Sequence, residues 1–345
     1  MPLTKPASNT CFRIIHLSDL HLTAVELASR SEPALTGRLT GMNENFRRLL
    51  KSDPIQRADL LLITGDITDT GEPLAWRQFN QALAAAAVAA RILVVLGNHD
   101  VCDLTARFGP AKRLRRADLR RARQGLTLCK QPARYPWARC IDDRVVVFGL
   151  DSNNSGNLTV VTNAVGRIGF QQFAALAALL HKHRRVPVKI IALHHSPNIP
   201  ERATSIRRGR PPVGLLTRWL HELPEEDRHA LRLLCITHRV RLVLHGHLHA
   251  AEDRTVSGIR MVGAPASTEP LKKSGRPAPA PTDPLKTKSA AVDSAKSKPP
   301  KVDSAARGDG SCDFQFYQYT IRWPAARIDR ALKTVSLRFA GNGGL

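Results

Sequence analysis

The chain has 345 residues, 43% of them hydrophobic, enough to bury a layered core, and its length alone allows one or two domains. Lys and Arg number 52 against 29 Asp and Glu, a formal charge of +23 that favours anionic partners: phosphate compounds, nucleic acid or an anionic membrane surface. No apolar run approaches the ~18 residues of a membrane span, no signal-type apolar core precedes the first strand, and the six cysteines are scattered without framework spacing, so a reducing, cytoplasmic location is expected.

Residues 1–11 read as a flexible N-terminus. The first apolar run, 13–22, carries Asp19 and His21 at its end; the second, 59–67, carries Gly65 and Asp66; the third, 92–100, carries Asn98, His99 and Asp100. Between the last two, Pro73 opens a predicted helix over 73–90, at a position where its missing N–H costs little. Residues 107–144 form a basic excursion of helix and loop, on the side of the preceding cluster, in which Arg107, Lys112, Arg113, Arg115, Arg116, Arg120, Arg121 and Arg123 crowd together. The run 145–150 closes on Asp151, with a structural or a near-site role. A helix over 170–183 places Phe173, Leu176, Leu179 and Leu180 on one face. The run 189–197 carries His194 and His195; a short helix over 215–220 and a longer one over 224–239 follow, the second with acids at the positive end of its dipole. The run 241–249 carries His247 and His249. Residues 270–310 are rich in Pro, Ala, Ser and Lys, cannot bury enough surface to offset ordering entropy, and are predicted disordered. Alternating runs at 314–321 and 333–339 read as antiparallel strands.

The first four of the five metal-bearing runs are rich in Ile, Leu and Val without polar alternation, as strands buried on both faces are. Strand–helix alternation gives a largely parallel α/β core, and ligands bind outside the carboxyl ends of such strands. Asp19, His21, Asp66, Asn98, His99, His194 or His195, His247 and His249 are therefore expected to meet at one place. Carboxylates, imidazoles and one amide, with no thiolate, suit Mn, Fe or Zn. Seven ligands exceed one tetrahedral ion and suit two ions that share a carboxylate, the clamp used for in-line displacement at phosphorus. Asp19 with His21, and His247 with His249, stand at the two-residue spacing that puts side chains on one side of a strand. Gly65, Gly97 and Gly246 let the backbone come close. Asp66 stands alone and is the candidate bridge. Thr68 and Asp69 read as turn or supporting residues, Asp100 as an orienter of His99 or a cap. His16 and His245 read as packing residues, and His181, His183, His221, His229 and His238 as exposed.

In order, AspLeuHis (19–21), GlyAsp (65–66), GlyAsnHisAsp (97–100), HisHisSerPro (194–197) and GlyHisLeuHis (246–249) resemble the calcineurin-like metallophosphoesterase superfamily, over roughly residues 12–268. Within it, the chain is similar to the bacterial branch related to cyclic-nucleotide phosphodiesterases. The resemblance implies an α/β fold, a two-sheet sandwich flanked by helices in α/β/β/α layers. It implies two divalent or trivalent ions, manganese or iron first and zinc as the alternative. It implies hydrolysis of small phosphodiesters, of cyclic-nucleotide or glycerophosphodiester type, through a hydroxide shared by the ions. By the same resemblance Asp19, His21, Asp66 and His249 hold one ion, and Asp66, Asn98, His194 and His247 the other. His99 then stabilises the transition state and protonates the leaving oxygen. The family usually shows HisHisProPro or His-x-Pro where this chain has HisHisSerPro. Matching the His pair makes His194 the ligand, the preferred reading; matching only the spacing to Pro197 makes it His195.

The expected organisation is a metallophosphoesterase domain over 12–269, an insertion at 270–310, and C-terminal strands in 311–345 that complete the domain. The expected partner is a phosphate-ester small molecule. A metal-dependent nuclease that tracks DNA or RNA along 107–134 is the alternative enzyme, although the chain has no recognised nucleic-acid module and 5% aromatic residues to stack on bases. A catalytically silent binding or scaffold protein is the other alternative; it predicts a lost ligand, and no ligand position is missing. The sequence carries no signal for an oligomeric state.

Overall fold

The structure is a computed structural model that describes residues 11–31, 39–101, 116–141, 143–153, 164–199, 221–271 and 311–338. Among these residues the chain runs through β1 (Cys11–Leu17), α1 (Met42–Leu50), α2 (Asp53–Gln56), β2 (Leu60–Thr64), α3 (Pro73–Ala85), β3 (Ile92–Val95) and α4 (Asn98–Val101). It continues through α5 (Arg116–Leu128), β4 (Trp137–Cys140), β5 (Val145–Gly149), α6 (Phe170–Lys182), β6 (Val188–Ala192) and α7 (Glu225–Thr237). The last elements are β7 (Leu242–His245), β8 (Glu252–Val256), β9 (Ile259–Gly263), β10 (Ser311–Arg322) and β11 (Arg327–Arg338).

The strands form two sheets, ordered β11-β10-β1-β2-β3 and β4-β5-β6-β7-β9-β8. In the first, β1, β2 and β3 are parallel and β10 lies antiparallel to β1. In the second, β5, β6, β7 and β9 are parallel, with antiparallel β4 and β8 at the edges. Because side chains alternate along a strand, each sheet buries two apolar sets. Phe12 and Ile14 of β1 enter the core between the sheets, with Leu60, Leu62, Val145, Val147, Ile190 and Leu244. Ile15 and Leu17 point the other way, to Phe46 of α1 and to Trp76 and Phe79 of α3. The second sheet turns Val146, Phe148, Ile191 and Val243 toward Leu176 and Leu180 of α6 and Leu231 and Cys235 of α7. In β10, Cys312, Phe314 and Phe316 join the helix side while Tyr317, Tyr319 and Ile321 enter the sandwich. The layers are therefore α/β/β/α, the two-sheet sandwich flanked by helices that the motifs imply. At about 1.5–3 kcal/mol per buried large apolar side chain, these three cores hold the sheets in register.

Differences from the sequence reading are local. The Pro73 helix ends at Ala85 rather than 90, where Ala87 takes a left-handed turn (φ 56°) that lets Val88 tuck inward. The helix of the basic excursion is α5, which buries Ala122 and Leu126 in the same core as Trp76. Helix α1, strand β4 and the β8–β9 hairpin add to the elements read from the sequence. The expectations for residues 1–10, 107–115, 215–220, 272–310 and 339–345 lie outside the described residues. No helix among the described residues is long and apolar enough to cross a membrane.

Candidate metal centre

The parallel strands put five chain turns at one end of the sandwich. Asp19 and His21 follow β1, Asp66 follows β2, Asn98 and His99 open α4 after β3, His194 follows β6, and His247 and His249 follow β7. Asp19, His21, Asp66, His247 and His249 all adopt left-handed backbone, with φ of 53°, 47°, 50°, 71° and 50°. Such non-glycine residues are uncommon and gather where the surrounding structure over-determines them. Room between the turns is equally constrained: a Cβ on Gly97 would collide with the backbone nitrogen and carboxylate of Asp66.

One ligand atom each from Asp19, His21, Asp66 and His249 lie within 4.8 Å of one another, and so do atoms of Asp66, His194 and His247. Asp66 belongs to both groups. Its Oδ2 is 3.8 Å from His21 Nε2 and 3.4 Å from His194 Nε2, and its Oδ1 accepts the His99 backbone N–H at 2.9 Å. Asn98 joins the second group with Oδ1 at 3.0 Å from His194 Nε2. In the first group His249 Nε2 sits 3.2 Å from His21 Nε2 and 3.5 Å from Asp19 Oδ1. Asp19 is itself held by the His247 backbone N–H, at 3.1 Å to Oδ2.

Hydrogen bonds to the other ring nitrogens fix how the imidazoles present themselves. His194 Nδ1 donates to the Thr64 carbonyl at 2.7 Å, which turns the Nε2 lone pair toward the oxygens of Asp66 and Asn98. A lone pair aimed at two oxygens needs a proton or a cation between them. The His194 pKa reflects this: burial works against the charged form, yet the Asp66 and Asp19 carboxylates outweigh it and push the value up to about 9. In Asp66, burial is in turn outweighed by His194 and His99, and the carboxyl is held well below its usual range. Burial first, then neighbouring Arg30, keeps His21 well below 6.5; burial and the surrounding histidines do the same for His247. Buried neutral imidazoles converging with carboxylates are what a hard or borderline cation requires of its ligands. The residues present fit metal ions, and Asp66 stands in both groups.

The remaining residues take separate places. His99 Nδ1 donates to the Asp69 carbonyl at 2.9 Å, and its ring stands edge-on to His21 at 4.6 Å. His195 is engaged at Nδ1 by the Ser152 hydroxyl, 2.9 Å away, beside the His247 ring. Asp100 accepts the N–H groups of Ile67, Thr68 and Gly97, tying the second and third turns together; burial and nearby Asp66 push its pKa up to about 6. Asp151 caps its own turn by accepting from Asn153. Behind the cluster stand groups the sequence reading passed over. Arg30, only 2% exposed, meets His21, Asp69 and Glu269. Glu269 is 3.2 Å from His249 Nδ1. His221, read as exposed, is half-buried with Nδ1 2.9 Å from His247 Nε2, and burial lowers its pKa to about 4. No spacing rule marks single charged residues in loops; only the closed fold brings them here.

A sequence profile described as calcineurin-like phosphoesterase matches residues 12–251. The chain belongs to that family. As a calcineurin-like phosphoesterase it is a metal-dependent phosphoric ester hydrolase. It is 27% identical over 260 residues to the cAMP/cGMP dual specificity phosphodiesterase MT0825 of Mycobacterium tuberculosis, a match that covers 74% of this chain and 67% of that protein. It is 25% identical over 271 residues to the probable cyclic nucleotide phosphodiesterase CBUA0032 of Coxiella burnetii, covering 77% of this chain and 87% of the other. The calcineurin-like fold is shared with a dimetal phosphatase from Danio rerio, at a TM-score of 0.53 and 13% identity, over 95% of this chain and 99% of that one.

Proposed function

We propose that this phosphoesterase is a binuclear phosphodiesterase acting on small or cyclic phosphodiesters, cyclic nucleotides foremost. The observation that carries the reading is the position of Asp66, whose carboxylate belongs to two ligand groups at once. Asp19, His21, Asp66 and His249 hold one ion in this reading, and Asp66, Asn98, His194 and His247 the other. Bound there, the ions supply a water deprotonated near neutral pH and neutralise charge on the phosphate oxygens. Four imidazoles, two carboxylates and an amide suit manganese, iron or zinc, and manganese or iron is the reading that the family resemblance favours. His99, whose Nδ1 meets the Asp69 carbonyl, is the residue assigned to deliver a proton to the leaving oxygen. The names of the bacterial relatives direct the substrate choice to cyclic nucleotides.

The test is turnover of the manganese-reconstituted chain on an aryl phosphodiester, its monoester, 2′,3′- and 3′,5′-cyclic AMP and single-stranded DNA, with Asp66→Ala as the blank. Faster hydrolysis of the small diesters is the expected result. Cleavage of DNA alone, falling steeply with salt through lost phosphate contacts, would replace this reading with a nuclease. No turnover of any substrate with metal bound would overturn it.

A further inference from the structure

The strongest unassigned cluster lies beside His249 and His21. Arg30 comes from the loop after β1 and Glu269 from the loop after β9, 239 positions apart in the chain. Glu269 Oε1 is 3.2 Å from His249 Nδ1, and the same oxygen receives Arg30 Nη1. Arg30 Nε is 3.6 Å from Asp69 Oδ1, and Nη2 is 3.0 Å from His21 Nε2. The Arg30 side chain is 1% exposed, while that of Glu269 is 23% exposed.

We propose that Glu269 is a positioning residue for the His249 half of the centre, held in place by Arg30. The inference rests on the binuclear reading above and adds the residues that set affinity at one ion. His249 Nδ1–H donates to the Glu269 carboxylate, which fixes the tautomer and aims Nε2 at Asp19 and His21. A carboxylate on the far nitrogen also makes the near nitrogen a stronger donor to a cation. The second task is electrostatic. A buried guanidinium 3.0 Å from His21 Nε2 repels a cation approaching that nitrogen. Glu269 and Asp69 offset that charge. Removing the Glu269 charge therefore weakens the site twice: His249 is less firmly aimed and Arg30 is left partly unbalanced.

The full-length, metal-free chain is titrated with Mn²⁺, and bound ions are counted by equilibrium dialysis and elemental analysis. The wild-type chain is expected to take up two ions. Glu269→Gln keeps the shape of the side chain and should bind one ion as wild type does and the other about 10–100-fold more weakly. Glu269→Asp, which retains the charge facing Arg30, should recover part of that loss even if the Gln variant folds poorly. A structural role alone would lower the melting temperature of the metal-free variant and weaken both ions together, and that outcome overturns the proposal. So does uptake of two ions by Glu269→Gln with wild-type affinity. A wild-type chain that binds no manganese overturns the binuclear reading itself, a different result from a selective failure in the variant.

Discussion

Beside His249 and His21 stand a guanidinium and two carboxylates, Arg30, Glu269 and Asp69; beside His194 and His247 stand a backbone carbonyl and a neutral imidazole, Thr64 and His221. The first half of the centre is braced by charge and the second by neutral groups. Charged bracing comes from side chains and can be tuned by substitution without touching a ligand. Bracing by the Thr64 carbonyl is part of the β2 backbone and survives any side-chain change there. The two halves should therefore respond differently to mutation, to pH and to metal supply, and Asp66 is where the difference vanishes.

The largest effect is expected at that shared point. Asp66→Ala should abolish uptake of both ions and lower turnover by about a thousandfold or more, the several kcal/mol of charge stabilisation that the ions supply. Wild-type metal content in that variant, by elemental analysis, would contradict the bridging role. The halves separate next: His249→Ala and His194→Ala should each retain one ion, and the two remaining ions should differ in affinity when a chelator is titrated in. His99→Ala tests a residue assigned to neither half. It should keep two ions and lose roughly 10²–10⁴-fold in turnover, most for substrates with poor leaving groups; equal losses across an aryl diester series would argue against proton delivery.

The smallest effect is on stability without metal. His194 has its pKa raised from 6.5 to about 9 by its carboxylate neighbours, against the effect of burial. A raised imidazole pKa contributes stability that is complete below the unfolded value and is lost as pH rises through the folded one. The His194 contribution to the stability of the metal-free chain should therefore be lost as pH rises from 6.5 through about 9, read as the difference between the wild-type chain and His194→Ala. Chemical denaturation across that range should reveal the loss, and saturating metal should remove it, since a ligating imidazole carries no such proton.

The fold and the ligand turns were legible because their signals are local. Five apolar runs gave the parallel strands, and glycine beside Asp66, Asn98 and His247 marked where backbones crowd. The alternating run at 314–321 gave β10, although nothing in it names β1 as the partner. Elements with mixed signals were harder. β8 opens on three charged residues in a row, Glu252, Asp253 and Arg254, and β4 lies in a stretch that reads as basic loop. Helix α1 carried a usable sign in Met42, Phe46, Leu49 and Leu50, all buried at helical spacing. Arg30, Glu269 and His221 had no such sign. Their roles come from what surrounds them after closure, and a lone charge in a loop looks the same whether it ends in solvent or behind a histidine.

The left-handed turns at Asp19, His21, Asp66, His247 and His249 have one more consequence. L-residues other than Asn and Asp rarely adopt that conformation, at roughly 1–2 kcal/mol each, whereas glycine does so freely. At His21 or His249 the residue that best suits the chemistry is thus a poor choice for the backbone. Glycine at the fully buried His21 would relieve the backbone but leave a cavity where the imidazole stood, so the strained residue is held there by its surroundings.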